Sequence, residues 1–149
     1  MAAQLTVWAV LLGLVAGARR ATAQQPLETP PPSPPRIRFI NPEPDALLAG
    51  TSVPVVLEIQ GVEIAPVIER RPGTAHVVLF LDRDVTTPDS AVPFGTPGIV
   101  HLLRGRSWHT LDFVKPGAHR LIALLANPRH VPLQPLAADT VRFTVKPRR

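Results

Sequence analysis

The sequence predicts an all-β fold, an immunoglobulin-like antiparallel β-sandwich of about seven strands, and three observations predict it. Proline occupies 19 of the 149 positions, more than twice its usual ~5% share, and so dense a helix breaker excludes a mainly helical chain. Short apolar runs recur between Pro and Gly residues at strand-and-turn spacing. Past the N-terminal leader, no helical apolar period outlasts a single turn.

The leader comes first in the chain. Leu5 to Ala18 is an uncharged apolar stretch of 14 residues, followed by Arg19-Arg20 and by Ala21-Thr22-Ala23. At 1.5 Å per residue it reaches about 21 Å, short of the ~30 Å hydrocarbon core of a bilayer. The small residues at 21 and 23 suit signal peptidase. Residues 1–23 therefore read as a secretory signal cleaved after Ala23, with a retained anchor or a buried helix of the domain as the alternatives. Residues 24–35, QQPLETPPPSPP, hold six prolines in twelve positions and one sizeable apolar side chain, Leu27. Such a segment has too little to bury and should extend as a polyproline II linker. The β-sandwich domain is expected over residues 36–147, long enough for a two-sheet core without disulfides.

Seven runs in that domain read as strands: Arg36 to Asn41, Thr51 to Gln60, Thr74 to Asp82, Ile99 to Leu103, Ser107 to Phe113, Ala118 to Ala126 and Thr140 to Lys146. Alternation is clearest in the last, where Val141, Phe143 and Val145 would face inward and Arg142, Thr144 and Lys146 outward. The first has the same pattern, with Ile37 and Phe39 inward between Arg36 and Arg38. AHVVLFLD and LIALLA are apolar on both faces, as central strands are. Pro116-Gly117 supplies a turn, one residue fixing φ and the next tolerating positive φ. Seven strands suit an immunoglobulin-like sandwich.

Composition narrows the function classes. Cysteine is absent, which excludes disulfides, thiolate nucleophiles and cysteine-held zinc or iron–sulfur centres. The formal charge of +5 falls to +3 once Arg19 and Arg20 leave with the signal. So weak and dispersed a surplus, with two Trp, five Phe and no Tyr, argues against nucleic acid as a partner. A cysteine-free exported chain fits the periplasm or the cell exterior, with no transmembrane segment after signal removal and an envelope or extracellular ligand of unknown identity.

Several pieces together resemble the DUF4399 family, small exported bacterial domains of unknown function. They are Arg36 to Asn41 with Pro44-Asp45, GVEIAP from Gly61, PGTAHVVLFLD from Pro72, His101 to Gly105, PGAHRLIALL from Pro116, and His130-Val131-Pro132. The family pattern has a histidine triplet after Gly-Thr-Gly. Here His76 keeps the first position, and Val77 and Val78 replace the others. His101, His119 and His130 fall on family histidine positions, whereas Ile99, Pro128 and Leu133 stand where histidines often occur. The resemblance implies a β-sandwich outside the cytoplasm and suggests metal binding.

By their own chemistry, neutral imidazoles bind copper, zinc or nickel, and three converging at ~2 Å make a site. The candidate ligands are His76, His101, His119 and His130, the first three on separate strands that must be neighbours for their rings to meet. The competing structural reading has these rings bonding carbonyls, or carboxylates such as Asp82, within the fold. His109 and the outward-facing Trp108 read as structural. Asp82, Asp84 and Asp89 lack the glycine and glutamate of a calcium loop. No nucleophile elbow, paired-acid motif, phosphate-cradling glycine loop or H-E-x-x-H occurs. The sequence thus reads first as a non-catalytic exported binding or structural module. A histidine-based copper or zinc protein is the alternative, and a hydrolase with an unrecognised site a further one.

Overall fold

A computed structural model describes residues 33–85 and 87–147, all within the compact unit Pro31–Arg149. The proposed signal, and the linker as far as residue 32, lie outside the described residues. The fold is all-β. Nine strands run in chain order: β1 (Arg36–Asn41), β2 (Ala46–Leu48), β3 (Val53–Gln60), β4 (Glu63–Ile64), β5 (Thr74–Leu81), β6 (Ile99–Leu102), β7 (Trp108–Leu111), β8 (Gly117–Ala126) and β9 (Ala138–Val145). The described residues contain no α-helix, only one 3-10 turn, Val67–Glu69. Among them no helix is long and apolar enough to cross a membrane.

The strands form a three-stranded sheet, β1-β3-β7, and a six-stranded sheet, β2-β9-β8-β5-β4, in which β6 also pairs with β5. All seven expected strands are present within a few residues of their expected ends. β2 and β4 are additions, three and two residues long, each pairing parallel with a longer neighbour. Pieces so short cannot show an alternation that would mark them in a sequence.

The period-2 rule distributes the core. Ile37, Val53, Val55, Leu57 and Leu111 of the smaller sheet pack against Val77, Leu79, Leu121, Ala123, Leu125, Val141, Phe143 and Val145 of the larger, forming the main core between the sheets. The other face of the larger sheet carries a second cluster: Val78, Phe80, Ile122, Leu124 and Ala126, covered by Val92 from the β5–β6 connection. Covered on both sides, β5 is buried at every position from Thr74 to Phe80, which explains why its sequence does not alternate.

Candidate metal centre

His76 shares its strand face with Val78 and Phe80, so it lies at the end of the second cluster, where it is fully buried. The β5–β6 register sets Val78 opposite His101. His101 is therefore the diagonal neighbour of His76 on the same face. On the other side, β8 ends at Ala126, directly opposite His76, and the chain then turns back over it. Asn127 builds that turn: its Oδ1 accepts the N–H groups of Arg129 and Val131, and its carbonyl accepts that of His130. His130 sits at φ 65°, a left-handed conformation uncommon outside glycine, asparagine, aspartate and histidine.

These constraints bring three imidazoles together. His76 Nε2 lies 3.2 Å from His130 Nδ1 and 3.5 Å from His101 Nδ1. One nitrogen from each ring lies within 4.8 Å of the other two, so all three fall within 4.8/√3, about 2.8 Å, of a common point. Tetrahedral coordination at ~2.05 Å requires ligand nitrogens about 3.3 Å apart, and the two short separations straddle that value. His101 Nε2 faces the Pro93 carbonyl at 3.2 Å. Placing the proton there directs the Nδ1 lone pair into the cluster, the orienting contact that metal-bound histidines use.

The arrangement is frustrated without a cation. His76 Nε2 faces two ring nitrogens, and a single proton can bridge to only one of them. If Nε2 carries the proton, the buried Nδ1 becomes an acceptor with no donor, and it has no hydrogen-bond partner of good geometry. If Nδ1 carries it, only the backbone of Ala126 gives that ring some support, and Nε2 and His101 Nδ1 then meet lone pair to lone pair. A metal ion accepts from all three rings together.

Electrostatics keeps the rings neutral. Burial first, then the neighbouring His130 and His101, push His76 down to about 4. Burial also lowers His101, against the Pro93 carbonyl, and lowers His130. Phe94 covers the outer side, its ring 4.1 Å from that of His101 and nearly parallel, and 4.4 Å from that of His130, edge on. A backbone bond from Val92 to the His130 carbonyl holds the Phe94 segment in place. Phe94 is absent from the sequence reading because an aromatic residue in a Pro/Gly loop has no periodicity to reveal what it covers.

His119, the fourth candidate ligand, is not part of this group. β8 does neighbour β5, but His119 belongs with the residues facing the main core, beside Phe143. It is also seven positions from Ala126, about 23 Å along a strand. Its Nδ1 lies 2.7 Å from Asp82 Oδ2 and its Nε2 2.7 Å from the Lys115 carbonyl, leaving neither nitrogen free to ligate. The structural role with Asp82 is the one His119 fills. His109 lies on β7 in the other sheet, where burial lowers its basicity and Asp112 partly restores it. Trp108 is half exposed, with the Arg106 guanidinium 4.8 Å above its ring. Asp82 and Asp84 are engaged with His119 and Arg120.

Among protein families, the model of one described as a domain of unknown function (DUF4399) matches residues 55–146, a span that includes all three clustered histidines. No curated protein matches the sequence. Among solved structures, the crystal structure of an engineered protein at 1.98 Å is similar over 77% of this chain, at 13% identity and a TM-score of 0.46. The aligned part spans 21% of that chain.

Proposed function

The chain belongs to the DUF4399 family, and from that membership and the imidazole cluster we propose that it binds one copper(II) or zinc(II) ion through His76 Nε2, His101 Nδ1 and His130 Nδ1. The observation that carries the reading is His76 Nε2 facing two ring nitrogens that one proton cannot serve together. Imidazole suits both metals. With no cysteine and Met1 the only methionine, the soft sulfur ligands that select copper(I) are missing.

We read the protein as a binding module rather than an enzyme. Zinc hydrolases commonly place a carboxylate as general base beside the metal-bound water, and among the described residues no Asp or Glu lines the three clefts that reach His101 or His130. The signal-like leader supports export to the periplasm or beyond, where the proline-rich segment would space the domain from its surroundings. The two facing sheets support an immunoglobulin-like arrangement.

Titration calorimetry of the purified protein with Cu(II) or Zn(II) at neutral pH tests the proposal. One ion per chain is expected. His130→Asn keeps a residue that tolerates positive φ, so the fold should persist while affinity falls by at least the ~10–100-fold that outer contacts alone are worth. His119→Ala should bind as the parent does. Absence of uptake by the parent protein would refute the metal reading.

A further inference from the structure

Three neutral imidazoles contribute no charge, so a divalent ion among them retains both of its own. The clefts around the cluster add more positive charge: Arg70, Arg71 and Arg129 line one, Arg104 a second, and Arg104 with Arg106 a third. None has an acidic residue among the described residues of its walls. Arg71 is paired with Glu63 and Glu69, whereas Arg104 and Arg106 have no carboxylate partner among the described residues. A bare dication at this place is under-neutralised by the described residues, and an anion from outside the chain would supply the missing negative charge.

The second cleft indicates the form that charge takes. It is an open cleft of about 390 Å³, within the roughly 300–1,000 Å³ of small-molecule sites. Val67, Ile68, Phe94 and Leu103 give it almost wholly apolar walls, and Arg104 and His130 are the residues with polar side chains among those that line it. Ile68, Phe94 and Leu103 are exposed hydrophobic side chains gathered on this one opening. Buried His76 closes the inner side of the cluster and Phe94 covers the outer rings, so an added ligand would reach the metal beside Phe94, from the cleft that Phe94 and His130 both line.

The geometry points to an apolar monocarboxylate as the fourth ligand, its head group bridging the metal and Arg104 and its hydrocarbon body lying against Ile68, Phe94 and Leu103. This rests on the metal reading above and specifies which small molecule completes that site. A charge-assisted bond to Arg104 and neutralisation of the ion reinforce one another. Metal and carboxylate therefore raise each other's affinity by the same factor.

Zinc titrations of the full protein in a non-coordinating buffer, with millimolar benzoate, acetate or benzyl alcohol, test the inference. Benzoate is expected to tighten zinc binding by about tenfold, acetate by less because it leaves the walls uncovered, and benzyl alcohol not at all. Arg104 is exposed, so Arg104→Gln should fold normally, bind zinc alone at least as well as the parent, and lose the benzoate effect. Ile68→Ser should remove the advantage of benzoate over acetate. Zinc binding that ignores both carboxylates overturns the inference and leaves the metal site standing. An equal effect of benzyl alcohol, or a benzoate effect that survives Arg104→Gln, overturns it too. No zinc uptake under any condition overturns the metal reading and this inference with it.

Discussion

His76 pairs a buried position with a basic side chain, and its consequences are measurable in acid. The ring titrates near 4 in the folded protein against an ordinary value of about 6.5, so the unfolded chain binds the proton more readily. Stability is complete above the unfolded value, is lost as pH falls from about 6.5 towards 4, and changes no further on this account below that. A shift of this size corresponds to about 3 kcal/mol at most, with His101 and His130 adding in the same direction. Denaturant melts of the metal-free protein should show that slope, and His76→Leu should flatten much of it. Zinc binding to the folded protein needs deprotonated rings, so the proton should begin to compete at His76 only as the pH approaches about 4. A parent and variant with equal pH slopes would count against a strained imidazole cluster.

At the level of strands and loops, register does the positioning. The β5–β6 and β5–β8 pairings fix His76 and His101, and the Asn127 turn fixes His130. Gly98 leads into β6 at φ +82°, and a Cβ there would stand 2.7 Å from the Leu81 carbonyl oxygen. Gly98→Ala should therefore cost about 1–3 kcal/mol, read by chemical denaturation, and should weaken metal uptake by displacing the strand that carries His101. Much of this was legible in the sequence. The alternation of Val141, Phe143 and Val145 marked the core face of β9, and the double-sided apolar run marked β5 as covered on both faces. Histidine identity selected the members of the cluster, yet parity and strand position were needed to separate His119 from the rest. Pairing partners are non-local, so one strand's pattern shows which face a residue takes and not which end of a neighbour it meets. The lid residue Phe94 and the short strands β2 and β4 were illegible for the same reason, since their roles arise only from what they contact.

For the molecule as a whole, the three clustered histidines are 25 and 29 residues apart in sequence and come together only in the native fold. Metal should therefore stabilise the folded state by about 2.7 kcal/mol at a free concentration 100 times Kd, which for a domain of this size raises Tm on the order of 10 °C. Differential scanning calorimetry with and without zinc checks this, and an unchanged Tm at saturation would argue that the ion binds unfolded chain equally well. The β5–β6 connection has a different bearing on durability. Val92 and Phe94 are carried by one irregular stretch, so a single peptide cleavage there would unroof the hydrophobic layer on the outer side of the large sheet and the imidazoles together. A nicked preparation should then take up an apolar dye and, on the metal reading proposed above, lose zinc affinity in the same step, so proteolysis of this one connection would be the hazard common to both layers.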